Sequence, residues 1–146
     1  MKLYLAHPFN SRIYIREWEK EFEKRTGIEL ANPFFDNPDR VAKFSETAEF
    51  NEKERKRLVK NFYGIVSGDL KYMQSCDGLL AIVDGNRSIG TLMEIVYNRM
   101  FSLISGNRPC YIITTSGEEH HPWLKYHATK IFKNFDEFET YIRRLK

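Results

Sequence analysis

The sequence predicts an α/β domain with a doubly wound, mostly parallel sheet of five strands and helices on both faces. Its 146 residues are close to the length of one ordinary domain, so residues 1–146 are expected to form a single unit. The chain is 42% apolar and 14% aromatic, which is enough for a core and excludes a disordered or fibrous protein. Strand-like and helix-like segments alternate along the chain, as they do in parallel sheets with crossover helices.

The first part of the chain predicts two strands with a helix between them. The apolar run 3–6 predicts the first strand, and a loop over 7–12 follows it. Apolar residues then recur every three or four positions, which predicts a helix that follows this loop to about Arg25 and stops at Gly27. Residues 28–31 predict a short second strand, after which we expect residues 34–56 to pass over the edge of the functional site.

The middle of the chain predicts a helix, a buried strand and a second helix. The helix over 58–75 is expected to turn one face to the sheet, formed by Leu58, Phe62, Ile65 or Val66, Asp69, and Tyr72 or Met73. Residues 78–83 are almost wholly apolar, as in a strand that is buried on both faces. A further helix is expected from about Gly90 to Gly106.

The last part of the chain predicts a second buried strand over 109–114, followed by a polar loop that carries His120 and His121. A weak strand is expected around 128–131. The pattern at the end of the chain predicts a terminal helix over 136–144.

Composition limits the classes of function. The two cysteines, Cys76 and Cys110, lie beside apolar runs and are expected to be small buried thiols. No apolar stretch approaches the roughly 20 residues of a membrane span, and no leader pattern is recognisable, so we expect a cytoplasmic protein without membrane contact. The net charge of +3 and the pI of about 8.8 are compatible with an anionic ligand and do not require nucleic acid.

Common phosphate-binding and metal-binding patterns are missing from the sequence. It contains no GxxxxGK[ST] segment and no GxGxxG after a predicted strand. His120, His121 and His127 lack the spacing of partner ligands that completes a metal site, so no metal is expected. In doubly wound sheets ligands bind at the carboxyl ends of the strands. This rule directs attention to the loops 7–12, 84–91 and 115–122.

Two carboxylates and a tyrosine are the candidates for chemistry. Glu94 follows Gly90 and Thr91 near a predicted helix start, where a carboxylate is stabilised in its charged form and suits a nucleophile or a base. An acidic residue there also stabilises the helix dipole without any catalytic role, and position alone leaves both readings open. Asp69 lies among apolar positions, so it either caps backbone groups or lines a site. Tyr4 can present its hydroxyl to Glu94 or belong to the core.

Five short segments, in this order and spacing, resemble the nucleoside 2-deoxyribosyltransferase family. They are the opening LYLA at 3–6, GDL at 68–70, SCD at 75–77, the strand at 79–83 and SIGTLME at 88–94. The resemblance extends from residue 3 to about residue 115. It implies a flavodoxin-like (Rossmann-like) fold and cleavage or transfer of the N-glycosidic bond of 2'-deoxynucleosides or their 5'-monophosphates.

The resemblance also implies roles for individual residues. Glu94 matches the family's nucleophile, which attacks the anomeric carbon as the base departs. Tyr4 matches the tyrosine that positions this carboxylate, and Asp69 matches an aspartate that contacts the sugar and handles protons. A carboxylate nucleophile forms a glycosyl-enzyme and requires no cofactor. The acid that protonates the leaving base is not identified.

Departures from the family pattern bear on the substrate. Base-exchanging members carry an Asp where this chain has Ser88, whereas the related 2'-deoxynucleoside 5'-phosphate N-hydrolases have a phosphate-binding Ser there. Gly90 would allow close approach of the backbone to a ligand. Additional phosphate donors are expected from Ser11, Arg12 and Arg87, although both arginines are equally compatible with solvated loop charge.

The first loop also departs from the hydrolases, because their glycine-rich segment is replaced by HPFN at 7–10. Phe9 is expected to stack on a base or to belong to the core. The alternative to an enzyme is a non-catalytic nucleotide-binding or sensing module on the same fold. The expected partners are a small nucleoside or nucleotide and, because relatives complete their sites with a neighbouring subunit, further copies of the chain. Nucleic acid is a remote option.

Overall fold

The computed structural model describes residues 1–37, 52, 53, 56, 60, 62–86 and 88–145. The strands are β1 (Lys2–Ala6), β2 (Glu29–Ala31), β3 (Gly78–Val83), β4 (Cys110–Thr114) and β5 (Lys130–Phe132). The helices are α1 (Arg12–Thr26), α2 (Phe62–Gln74), α3 (Ile89–Ser105), α4 (Pro122–His127) and α5 (Phe135–Arg144), and a single 3-10 turn spans Phe9–Ser11.

The five strands form one sheet in the order β2-β1-β3-β4-β5, and every pair of neighbours is parallel. The predicted fold class is therefore confirmed. The chain passes from β1 to β2 on one side and then returns to place β3 on the other side of β1. The order of strands thus reverses between β1 and β3, and the carboxyl ends of these two strands are where doubly wound sheets bind ligands.

Side chains of β1 alternate between the two faces of the sheet, as strand geometry requires. Leu3 and Leu5 belong to one buried cluster, which also holds residues of α1 and α5. Tyr4 and Ala6 belong to the opposite cluster, with residues of α2, α3 and α4. Both Leu3 and Tyr4 are 0% exposed. The alternation therefore turns Tyr4 towards the helix that carries Glu94.

Two helix ends follow from local sequence. Gly27 ends α1 in the left-handed region at a φ of 66°, which glycine adopts without steric cost, as predicted. Ser88 is the N-cap of α3, and its side chain accepts a hydrogen bond from the Thr91 amide.

The prediction of the apolar face of α2 is partly wrong. Met73 is 0% exposed and Ile65, the alternative to the exposed Val66, is half-buried, but Phe62 is 68% exposed. A pattern of apolar residues cannot separate a core face from a face that lines an open cavity, and Val66 lines such a cavity. Leu58 and most of the predicted excursion over 34–56 lie outside the described residues.

The region after β4 also differs from the prediction. The expected polar loop contains α4, which begins at Pro122, a residue favoured in the first turn of a helix. Trp123 and Tyr126 are largely exposed and only Leu124 is buried, so no apolar periodicity revealed the helix. The last strand begins two residues later than the start of the expected one. No helix within the described part of the chain is long and apolar enough to cross a membrane.

Candidate active site

The closest contact between predicted functional residues joins β1 to α3. The Tyr4 hydroxyl donates a hydrogen bond of 2.7 Å to Oε1 of Glu94, across 90 positions of sequence. The Tyr4 ring is fully buried, and it meets the ring of Tyr72 edge-on with centroids 6.1 Å apart. Because the ring cannot move, a hydrogen bond from its hydroxyl fixes the orientation of the carboxylate. The predicted pairing of Tyr4 and Glu94 is present.

The helix that carries Glu94 starts with a tight local network. The Ser88 side-chain oxygen lies 3.2 Å from the Thr91 amide and 2.7 Å from the Thr91 hydroxyl. Glu94 lies beyond the first turn of α3, and that turn contains no acidic residue. The expectation that the helix dipole stabilises Glu94 is therefore wrong, because the effect falls off within the first turn. Tyr4 supplies the local donor instead.

A cavity of about 560 Å³ lies in front of Glu94, between α2, α3 and the loops that follow β1 and β2. It brings together several residues that the sequence singled out, namely Phe9, Asp69, Ser88, Gly90 and Glu94. A side-chain Cβ built at Gly90 would meet no atom within 4 Å, so the space above this backbone is open. The cavity is large enough for a nucleoside or nucleotide.

Asp69 faces this cavity from α2. Its Oδ1 accepts a hydrogen bond of 3.2 Å from Nδ2 of Asn37, which is itself buried. Sequence reasoning did not identify Asn37. It lies in an irregular turn after β2, and nothing in the local pattern shows that this turn reaches α2.

Aromatic rings form another wall of the cavity. The Phe34 ring packs against the rings of His7 and Phe9, with centroid distances of 4.8 Å and 5.7 Å. The Arg12 guanidinium lies 3.9 Å from the centroid of Phe9. Phe9 is thus held from two sides and lines the cavity, where it can present part of its ring to a ligand.

The structure does not bring Ser11 and Arg12 to the cavity. Arg12 is 4% exposed, and its Nη1 donates to the Phe9 carbonyl at 3.1 Å. The Ser11 hydroxyl donates to Asp84 at 2.6 Å. Both residues are turned inwards by these contacts, which the sequence of the loop does not reveal. Arg87 lies outside the described residues.

Asp84, at the end of β3, is held by a set of donors. Burial opposes its ionisation, but hydrogen bonds from the Ser11 and Tyr14 hydroxyls and from the Asn86 amide outweigh burial and lower the pKa of Asp84. Burial, together with the hydrogen bond to Asp84, raises the pKa of Tyr14 above its usual value. These groups fix the 84–86 turn next to the start of α3.

A second cavity of about 610 Å³ lies on the other side of α3, against α4. It shares Ser88 and Thr91 with the first and also includes Asp84, His121 and Trp123. The ring of Trp123 stacks on that of His127 with centroids 6.0 Å apart. No group of three or more His, Cys, Asp or Glu side chains in the described ranges could hold a metal ion.

Comparisons with known proteins give a match only at the level of structure. No model of a known protein family matches the sequence, and no curated protein matches it. A 2-deoxyribosyltransferase from Bacillus psychrosaccharolyticus superposes with a TM-score of 0.63 at 19% identity, over 97% of this chain and 92% of the other. A CMP N-glycosidase from Clostridium botulinum gives a TM-score of 0.53 at 13% identity, over 100% of both chains.

The chain has the fold of these two enzymes. The resemblance noted in the sequence is confirmed at this level, since the structural neighbours are a deoxyribosyltransferase and an N-glycosidase. At such low identity the likeness establishes the five-stranded parallel architecture and not the activity. Any assignment of activity therefore depends on the residues that line the cavity.

Proposed function

We propose that this chain belongs to the nucleoside 2-deoxyribosyltransferase family and cleaves or transfers the N-glycosidic bond of a 2'-deoxynucleoside or its 5'-monophosphate. The observation that carries the proposal is the hydrogen bond of 2.7 Å from Tyr4 to Glu94, in a cavity that Asp69 also lines. The cavity lies where doubly wound sheets bind ligands. The deoxyribosyltransferase and the N-glycosidase with the same fold support this class of reaction.

In the proposed reaction Glu94 is the nucleophile. Its carboxylate attacks the anomeric carbon through an oxocarbenium-like transition state, and the base leaves with the electron pair of the broken carbon–nitrogen bond. The base takes up a proton as it leaves. Water or an acceptor base then attacks the anomeric carbon of the glycosyl-enzyme, loses a proton and releases the Glu94 carboxylate. Each step involves one bond formed and one bond broken at that carbon.

The other residues orient the reactants. Tyr4 positions the attacking oxygens, because its buried ring holds the hydroxyl in place. Asp69 contacts the sugar and handles protons, and Asn37 orients its carboxylate. Phe9 contributes an aromatic face to the base. Orientation of this kind contributes substantially to rate, because misplacing a reacting group by about 1 Å can cost roughly 100-fold.

The start of α3 favours a phosphorylated substrate. Ser88 and Gly90 both line the cavity, and a serine replaces the aspartate of base-exchanging enzymes. Amides at a helix start and a serine hydroxyl are suitable donors for a phosphate. We do not include Ser11 and Arg12 in this subsite, because their polar groups contact Asp84 and the Phe9 carbonyl.

A substrate panel tests the proposal. The chain is incubated with 2'-deoxynucleosides and their 5'-monophosphates, with and without an acceptor base, and products are separated by chromatography. Free base from the monophosphates alone would identify a hydrolase, and exchange of bases on unphosphorylated sugars would identify a transferase. We expect Glu94→Ala and Glu94→Gln to abolish both. Tight binding of an intact nucleotide without turnover would contradict the proposal and indicate a sensing module.

We further propose that the chain forms a homo-oligomer through α3. Apolar side chains follow one side of this helix in exposed positions, namely Leu92, Met93, Tyr97, Met100, Leu103 and Ile104. Two of them, Met93 and Tyr97, also line the cavity, so a second copy on this surface would help to close it. Met73, on α2, is buried in the core and is not available for a subunit contact.

Light scattering tests the oligomer. We expect Ile104→Glu, at a position that is 83% exposed, to reduce the measured mass to that of one chain. Leu145→Glu changes an exposed apolar residue at the far end of the sequence and serves as the control. A monomeric wild-type protein would contradict this part of the proposal.

A further inference from the structure

A fully buried carboxylate on α1 lies outside the cavity and is held by two donors. Glu19 is 0% exposed. Its Oε1 accepts a hydrogen bond of 2.6 Å from Nη1 of Arg16, and its Oε2 accepts one of 2.7 Å from Nδ2 of Asn32. Neither Glu19 nor Arg16 lines the cavity in front of Glu94. The proposed reaction therefore gives these two residues no direct part.

The orientation of the Asn32 side chain follows from its neighbours. Its Oδ1 accepts from the Phe34 amide at 3.1 Å, and a backbone amide can only donate. The amide group of Asn32 must therefore point its nitrogen towards Glu19. The same Oδ1 lies 3.3 Å from Nε2 of His7, which lines the cavity. Asn32 thus links the buried carboxylate to a residue of the cavity wall.

Arg16 holds the same segment at a second point. Its two terminal nitrogens donate to the two carboxylate oxygens of Asp36, each at 2.9 Å. Asp36 in turn accepts from the backbone amide of Asn32 at 3.2 Å. A paired contact between a guanidinium and a carboxylate is geometrically specific. The turn over 32–37 is therefore fixed on α1 at both of its ends.

The opposite side of this turn meets the candidate active site. Pro33 and Phe34 line the cavity, and Phe34 packs against Phe9. Asn37, at the end of the turn, donates to Asp69. A continuous series of contacts thus runs from Glu19 and Arg16, through the turn, to the cavity wall and to Asp69, a proposed functional carboxylate.

We propose that Glu19 and Arg16 are positioning residues, which fix the turn 32–37 so that Phe34 forms the cavity wall and Asn37 orients Asp69. The inference rests on the proposed function for its catalytic consequence. Its structural part, the orientation of Asn37, can be tested without turnover.

A purely stabilising role explains Glu19 less well. Replacing a buried ion pair with apolar residues of similar size often costs nothing or stabilises a protein. Burial raises the pKa of Glu19 to about 7, against the hydrogen bond from Asn32 and the charge of Arg16, which lower it. Ionisation of Glu19 is therefore costly. The ionisable side chains in contact with Glu19 or with its hydrogen-bonded partners include Arg16, Asp36 and His7. Fixing the turn 32–37 beside the candidate active site would explain why the chain keeps a buried carboxylate that is costly to ionise.

Glu19→Gln tests the inference, with Glu23→Gln as its matched control. Gln retains the size of Glu but has one acceptor oxygen in place of two, so it cannot accept from Asn32 and Arg16 through separate oxygens as Glu19 does. Glu23 lies on the same helix, and it accepts from the Leu30 amide in β2 instead of contacting the turn. Arg16→Lys is a second variant, because a lysine cannot form the paired contact with Asp36.

Two measurements are made on each variant, at a pH above the pKa of about 7 of Glu19, so that this carboxylate is ionised in the wild type. The first is the NMR signal of the Asn37 side-chain amide, which we expect to shift or broaden in Glu19→Gln and Arg16→Lys and to remain unchanged in Glu23→Gln. The second is turnover of the best substrate from the panel, for which we expect kcat to fall on the order of 10- to 100-fold in the same two variants. Unchanged Asn37 signals, or losses in Glu23→Gln equal to those in Glu19→Gln, would overturn the inference. An inactive wild type would contradict the proposed function and leave the amide measurement intact.

Discussion

At the scale of the residue, a single hydrogen bond links the sequence to the proposed chemistry. Tyr4 was a candidate only through its family resemblance and its place on the first strand. The structure adds a donor–acceptor distance of 2.7 Å to Glu94 and complete burial of the ring. Because the buried ring holds the Tyr4 hydroxyl in one place, this hydroxyl can orient the Glu94 carboxylate in one position only. Its removal should therefore affect catalysis more than binding.

We predict that Tyr4→Phe lowers kcat on the order of 100-fold with a smaller change in KM, because the Glu94 carboxylate loses the group that orients it. The measurement is steady-state turnover of the best substrate. Tyr72→Phe is the control, since it removes a hydroxyl from the ring beside Tyr4 and leaves the Tyr4–Glu94 hydrogen bond in place. Equal losses in both variants would show that the hydroxyl of Tyr4 has no special role.

Some of the predicted site residues lie at the cavity and others do not, for identifiable reasons. Glu94, Asp69 and Ser88 line the cavity. Their positions were predictable because they lie on helices, or at a helix start, that the sequence pattern indicates. Arg12 was expected at a phosphate, yet it is buried against Phe9. The sequence of a loop shows which charged side chains it carries but does not show the direction in which those side chains point. The contact of Asn37 with Asp69 depends on tertiary packing, which no local pattern encodes.

At the scale of the element, the start of α3 combines a capped helix with open space. Ser88 caps the helix, and the backbone at Gly90 faces a cavity with no atom in reach of an added Cβ. Alanine favours a helix more than glycine does. We therefore expect the glycine at this position to allow a ligand to approach the backbone.

We predict that Gly90→Ala keeps or raises the melting temperature, because alanine favours a helix by up to about 1 kcal/mol over glycine. The same variant should raise KM about 10-fold or more, since the new methyl group occupies space intended for substrate. Gly85→Ala is the control, because its added Cβ also meets no atom and it lies on the second cavity. An unchanged KM in Gly90→Ala would mean that the substrate does not approach this backbone.

The elements themselves were largely predictable. The strands β3 and β4 are apolar runs that had to be buried on both faces, and α1 shows a regular apolar stripe. The short helix α4 was missed, because it buries little more than Leu124 and its aromatic residues face outwards. Apolar periodicity in the sequence therefore predicts an element well when that element buries much apolar surface, and poorly when it buries little.

At the scale of the whole molecule, the alternation of elements predicted the class of fold, and its strand order follows known rules for parallel sheets. The buried charge on α1 was not predicted. Glu19 lies four residues after Ile15 and three before Phe22, so helical spacing places it on the buried face of α1, whereas Glu21 lies on the exposed face. The spacing does not show which groups would hold a buried carboxylate, because its partners come from the turn after β2.

This burial predicts a specific dependence of stability on pH. The pKa of Glu19 is about 7 in the folded chain, against an ordinary value of 4.5. Between these values the unfolded chain releases the proton while the folded chain keeps it. The contribution of Glu19 to stability is therefore fully present below pH 4.5 and is lost as pH rises through 7, by about 3 kcal/mol in total.

Urea unfolding at a series of pH values tests this linkage. We predict that the free energy of unfolding of Glu19→Gln rises relative to that of the wild type as the pH increases from about 5 to about 8, because glutamine does not titrate. A curve for Glu19→Gln that runs parallel to that of the wild type would contradict the raised pKa.

The central claim, that Glu94 forms a covalent bond to the sugar, is tested most directly by mass spectrometry of the chain after brief reaction and acid quenching. A substrate with fluorine at the 2' position is suitable, because it destabilises oxocarbenium-like transition states and slows loss of the intermediate. We predict that the chain gains the mass of one sugar or sugar phosphate, that the label lies in the peptide containing Glu94, and that Glu94→Gln gains none. Turnover with a label on another residue, or an equal label on Glu94→Gln, would contradict the account.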